Sequence, residues 1–435
     1  MALGGGTFLV QNKVLPGAYI NFVSRPRALG GLGERGTVCI PMLLDWGMNG
    51  MVTVESEKIQ RECQCIFGYD FLADEMKNLR EVFLYAKTVK VYRLNAGERA
   101  KATSEALTVM AKYGGVRGND LKVVVAENVD EKSLFDVKTY LGAELLEVQT
   151  VGNIIELVEN DFVIFSGSGA LTKTAGMILT GGSNKEMTGA EYGKFLEDAE
   201  KENFQVLAYT GEDATTKKLF EMFTKRMRNQ EGVKFVTVLF DYDAADFEGV
   251  ISIKNETEEE KTSLVYWVAG ATASANVNES LTNRIYNGAY TVMTKYKKSD
   301  FEKGLKAGGF FFYCDGDKVR VLTDINTFTS YEPSKSNDFS SNRVVRVLDS
   351  IANDVADIFS KYYLGKQSNN INGRNLFKTE LIRYHEQLQS IEAIEGFKAE
   401  DIIVEQGVGK CDVVVYENVM PTDAMEKLYM KVEVV

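Results

Sequence analysis

Histidine is almost absent. One residue in 435, His385, supplies the only imidazole, whereas Ser-His-Asp triads, Cys-His dyads and most zinc hydrolase sites need one beside the nucleophile or metal. Apolar residues at 377, 381, 384, 388 and 391 form a helical stripe that leaves His385 one position off the buried face, which predicts a solvated helix histidine. Cysteine is scarce too: Cys39, Cys63, Cys65, Cys314 and Cys411 make neither an even set nor a C-x-x-C pair. Cys63-x-Cys65 has one histidine in the whole chain to join it, so neither a metal nor a cofactor is expected, and reduced thiols in apolar settings are the reading.

No run approaches 18 apolar residues, so no membrane insertion is expected. The start, MALGGGTFLVQNKVLPG, lacks a basic n-region followed by an apolar h-region, which argues against a signal peptide and for a cytoplasmic product. Fifty Lys and Arg stand against 62 Asp and Glu, a net charge of −12 with no segregated basic block. Such a chain is repelled by phosphate backbones, so direct nucleic-acid binding is excluded. Proline occurs five times and never between Pro41 and Pro333.

What remains is an ordinary globular balance, 45% hydrophobic and 26% charged, with length for two to four domains. The fold class read from the pattern is α/β and α+β, multidomain. Residues 1–22 read as an extended N-terminal arm, with Gly4-Gly5-Gly6 before the strand-like Thr7-Phe8-Leu9-Val10 and a turn at Pro16-Gly17. Gly31, Gly33 and Gly36 spell G-x-G-x-x-G, but Arg25-Pro26-Arg27 precedes it and a β-like run follows, so it is not a dinucleotide fingerprint. A layered α/β domain is expected over 23–121 and 181–335, where strands and helices alternate, Thr188 and Glu191 forming a capping box. Between its halves, 122–180 reads as an inserted β-rich domain of short strands, including one over Ile154 to Val158.

Beyond Pro333 long helices take over, giving an α+β domain over 336–425. One helix should span Asn342 to Tyr363 on the stripe Val344, Leu348, Ile351, Val355 and Ile358. The last ten residues, 426–435, alternate Leu428, Met430, Val432 and Val434 with Lys427, Lys431 and Glu433, a strand running to the final residue. Neither end can build a sheet alone. Phe8, Leu9 and Val10 at one end, and Leu428, Met430, Val432 and Val434 at the other, are therefore expected to add to a neighbouring copy's sheet.

Three segments resemble the contractile tail sheath proteins of bacteriophages and R-type bacteriocins, in the branch common in Gram-positive hosts: Tyr113-Gly114-Gly115-Val116-Arg117-Gly118-Asn119-Asp120-Leu121, the run Ala269 to Asn283, and Ile325-Asn326-Thr327-Phe328-Thr329. The likeness covers nearly the whole chain and rests on the order and spacing of these segments. It implies a central domain that is subtilisin-like by fold only, a β-rich insertion facing outward, and a C-terminal domain close to an inner tube. It implies a non-enzymatic protomer that polymerises helically around the tube, in a virion tail or a released bacteriocin particle, and contracts to drive the tube through a bacterial envelope. The implied partners are itself, the tail tube protein, and baseplate and tail terminator proteins. With the C-terminal domain nearest the tube, Arg346, Asp349, Asp354, Asp357 and Lys361 on the outward face of the long helix become candidate tube contacts. The alternative is a hydrolase on the α/β scaffold, for which Ser166, Ser168, Ser274 and Ser280 are the tempting nucleophiles.

Overall fold

The protein was analysed as a computed structural model, which describes residues 33–434. The expected arm over 1–22, with Phe8, Leu9 and Val10, lies outside the described residues.

Alternating burial builds the centre. In the strand Thr37–Met42, Val38, Ile40 and Met42 face one core while Cys39 faces another, as the two-residue period of a strand covered on both sides requires. It lies within a seven-stranded sheet in the order Gly309–Phe310, Val250–Ile253, Val236–Phe240, Val206–Tyr209, Thr37–Met42, Thr88–Arg93, Gly50–Glu55. All neighbours run parallel except the last pair, which is antiparallel. Helices Ala190–Ala199 and Ala214–Arg226 close one face through Phe195, Phe220 and Phe223. The other face is covered by Leu264–Ser274, whose residues 264–273 are all buried, with Lys77–Phe83 packed on it. The backbones of these two helices meet at Gly270, where a Cβ would lie 2.4 Å from the Val82 carbonyl oxygen, so only glycine fits.

The chain leaves this sheet after Arg93 and returns at Val206. Between them, antiparallel sheets of four strands (Met177–Ile178, Leu121–Glu127, Phe135–Leu141, Glu144–Val151) and three (Lys101–Ser104, Leu107–Ala111, Val163–Gly167) share one core containing Val109, Val123, Val137 and Val163. This unit starts about twenty residues before the expected boundary at 122. The missed hairpin turns on Glu105 at positive φ, without the Gly, Pro or Asn that usually marks a turn. The expected strand from Ile154 is a single 3₁₀ turn, Ile154–Glu156, because the Asn153 side chain accepts from the Ile155 N–H and caps it. Asn119 ties the base of the unit, exchanging 2.8 Å hydrogen bonds in both directions with the Gly182 backbone.

The C-terminal unit stacks the helices Asn342–Ile358 and Ile371–Ser390 against a two-stranded sheet, Ile402–Gln406 with Val413–Glu417. Its core joins Val347, Ile351, Tyr384, Leu388 and Ile394, with Phe377, Leu381 and Ile402 beside them. Val347 rather than Leu348 leads the buried stripe, so the helix sits slightly rotated from the expected register. A π-helical turn, Phe359–Tyr363, ends it. Residues 423–434 form no strand in the single chain.

Candidate assembly surfaces

Among the described residues, the hydroxyls of Ser166, Ser274 and Ser280 bond to backbone groups and to no base. Ser166 Oγ donates to the Thr108 carbonyl and Ser274 Oγ to that of Ala271, while Ser280 Oγ accepts from the Thr282 N–H. The single imidazole is far from solvated. His385 is wholly buried, with Nδ1 at 2.8 Å from the Leu381 carbonyl and the ring stacked on Phe397 at 5.1 Å. Helical spacing could not show this, because Phe397 and the strand ending at Glu417 lie on segments that fold back over the helix. The expectation that every thiol is sheltered also fails for two of the five: Cys314 and Cys411 are exposed.

The long C-terminal helix is buried on two sides. Arg346 and Asp349, expected to point outward, instead face the central unit. Asp349 accepts a bidentate pair from Arg228 at 2.6 and 2.7 Å, and Arg346 reaches Asp324 at 3.4 Å and the Glu279 carbonyl. These partners come from distant segments, so the face appears solvated in the sequence and buried in the fold. Asp354 is half-buried, accepting from the Tyr384 hydroxyl at 2.8 Å and the Gly33 N–H at 3.4 Å, and its desolvation pushes the carboxyl up. Asp357 and Lys361 do face solvent, paired with each other at 2.7 Å.

Two exposed surfaces remain in this unit. At its tip, residues 359–378 carry Lys361, Lys366, Arg374 and Lys378 and no acid, although the whole chain is strongly acidic. Tyr362, Leu364, Ile371 and Leu376 are exposed among them, beside a cavity of about 310 Å³ lined by Phe359, Tyr363, Phe377 and Val413. Four bases without an acid in twenty residues is the sequence signal for this tip, a weak one because they form no contiguous block. The second surface is the tail. Thr282 donates to Glu426 at 2.6 Å, but among the described residues no backbone-to-backbone hydrogen bond reaches 423–434. Leu428, Met430, Val432 and Val434 are each at least 70% exposed, an unusual position for four alternating apolar side chains. The two-stranded sheet gains no third strand from the described residues and exposes Ile403 and Tyr416.

Family models match in chain order: the phage tail sheath β-sandwich domain over 95–184, the central domain over 185–327 and the C-terminal domain over 334–435. The sheath tail protein of Desulfitobacterium hafniense is 42% identical, with a TM-score of 0.83 over 96% of this chain and 99% of its own. The chain belongs to the phage tail sheath family. The phage-like element PBSX protein XkdK of Bacillus subtilis is 33% identical over 99% of this sheath chain and 100% of its own length. At 11% identity, the anti-feeding prophage helical sheath in its contracted state shares the fold, with a TM-score of 0.57 over 97% of this chain and 99% of its own. This chain is a structural tail sheath protein and not an enzyme; the hydrolase alternative has no support.

Proposed function

We propose that copies of this chain polymerise helically around an inner tail tube, each pinned to its neighbours by strand exchange through the chain ends, and that the polymer shortens to drive the tube through a bacterial envelope. The observation that supports this most strongly is the tail, which leaves four alternating apolar side chains and their main-chain groups unpaired in a unit whose own sheet has open edges. Adding Leu428 to Val434 to a neighbour's Ile402–Gln406 and Val413–Glu417 sheet would satisfy both. Phe8, Leu9 and Val10 are assigned the same task at the other end, with Pro16-Gly17 as a hinge. Baseplate and tail terminator proteins would cap the polymer, which would assemble in the host cytoplasm before use in a virion tail or bacteriocin particle.

We read the central layer as subtilisin-like by fold alone and the β unit as an insertion facing outward. Tube contact is assigned to the basic tip. Asp354, Asp357 and Lys361 are assigned to its margin, whereas Arg346 and Asp349 make internal pairs and do not contribute. Deleting residues 426–435 should give a folded monomer that forms no cylinders in negative-stain micrographs. Normal cylinders from that truncation would overturn the tail's role.

A further inference from the structure

The hairpin of Ile402–Gln406 with Val413–Glu417 has two faces and two edges, and they are not alike. Ile402, Val404, Val413 and Val415 pack toward the helices, whereas the cross-strand pair Ile403 and Tyr416 lies exposed on the opposite face. Just beyond the ladder, the Gly407 N–H donates to the Asp412 carbonyl and the Asn418 N–H to that of Asp401, so the bonded pairs within it are 403 with 416 and 405 with 414. The N–H and C=O of Val413, Val415 and Glu417 therefore point away from the hairpin, and among the described residues no backbone group takes them.

The cavity of about 310 Å³ opens on that side: Cys411 and Val413 line it, and no residue of Ile402–Gln406 does. Its far wall is aromatic, with the Tyr363 and Phe359 rings 4.7 and 5.6 Å from that of Phe377. It is also braced. Asn369 Nδ2 donates to the Lys410 and Asp412 carbonyls at 3.0 and 2.8 Å, and Arg374 Nη1 donates to Asn369 Oδ1 at 3.0 Å, which fastens the tip to the turn of the hairpin. A preformed apolar cavity at the end of an open strand edge suits one side chain of an added strand. The tail has one such side chain. Leu428, Met430, Val432 and Val434 share a face, and the other face carries Lys427, Lys431 and Glu433 with a single ring among them, Tyr429, which is 88% exposed. When the apolar row covers Ile403 and Tyr416, the two-residue period turns Tyr429 to the helix side, where Phe377 and the cavity lie.

We propose that Tyr429 of a neighbouring copy anchors the exchanged tail, its ring seated against Phe359, Tyr363 and Phe377 while the tail pairs with the Val413–Glu417 edge. The anchor rests on the strand exchange proposed above and adds to it a receiving edge, a facing and a fixed register. Strand addition alone tolerates a slip of two residues, which keeps every side chain on its face; one ring that fits one cavity removes that freedom. Lys361 and Lys366 line no part of the cavity and stay with the tube contact.

Photoreactive p-azidophenylalanine in place of Tyr429 tests the seat in assembled full-length chains, with isotopically light and heavy copies mixed so that links between copies are told from links within one. Irradiated cylinders should give mixed light–heavy peptides that join position 429 to 359–377 or 410–413. Tyr429→Phe should assemble as the wild type does. Tyr429→Ala should raise the concentration needed for cylinders by about tenfold or more, as loss of a buried aromatic anchor does. Cys411→Trp, which fills the mouth of the cavity from an exposed position, should do the same and leave the melting temperature of the monomer within a few degrees. Links confined to one chain, links from 429 to other segments only, loss of cylinders in Tyr429→Phe, or cylinders from Tyr429→Ala at the wild-type concentration overturn the anchor. A cross-link between Val432→Cys and Tyr416→Cys of different copies alongside any of those results leaves strand exchange standing without it.

Discussion

Asp349 carries a structural charge, whereas Asp357 carries a surface one. Removing the Asp349 carboxylate strands the Arg228 guanidinium, itself only 3% exposed, without its bidentate partner. Breaking one side of a buried pair costs about 3–5 kcal/mol, whereas the exposed Asp357–Lys361 pair is worth about 0–1 kcal/mol. Asp349→Ala should therefore lower the denaturant midpoint sharply and Asp357→Ala barely move it; equal shifts would place Asp349 at the surface. Neither effect was legible beforehand, since helical periodicity shows which side chains share a face but not that a second unit covers that face. Local signals did better. Thr188 and Glu191 do meet, the carboxylate accepting the Thr188 N–H at 3.1 Å and held down to about 2 chiefly by Lys185, although Gly189 takes the N-cap position.

At the scale of elements, the parallel strands were readable because their apolar runs are short and bounded, as at Val236–Phe240. The boundary of the β unit was not, since the Leu107–Ala111 strand pairs with Val163–Gly167, more than fifty residues on. That pairing yields a prediction. Replacing 122–180 by a Gly/Ser linker removes the partner strand and uncovers Leu107, Val109 and Ala111, so insoluble protein is expected. Replacing 95–184 should leave the central unit soluble once Trp46 is made polar, because this buried side chain packs into the β core against Tyr113 and Phe162. Comparable solubility of both deletions would show that the two sheets do not share a core. The basic tip gives a second prediction: Lys361→Glu with Lys366→Glu should weaken cosedimentation with tail tube in a salt-dependent way and leave the melting temperature within a few degrees, as exposed charges do. Unchanged cosedimentation would move the tube contact off the tip.

Taken whole, the described molecule uses its burial to join units and leaves its C-terminal tail free. The buried pairs Arg228–Asp349 and Arg346–Asp324 fasten the C-terminal helix to the central unit, so each subunit is built to move as one piece. Motion is left to the tail, which is attached at Glu426 and unpaired beyond it. Composition and the near-absence of histidine pointed away from chemistry, and the alternation of the last ten residues pointed to strand addition. The sheet edges that could receive that strand became visible only in three dimensions.

The most direct test is a cross-link between copies. With Cys314 and Cys411 changed to Ser, one preparation carries Val432→Cys and another carries Ile403→Cys or Tyr416→Cys; the two are mixed, assembled and oxidised. The account predicts disulfide-linked heterodimers that appear only under conditions where cylinders form. Cylinders that form freely with no cross-link at either sheet position would contradict it.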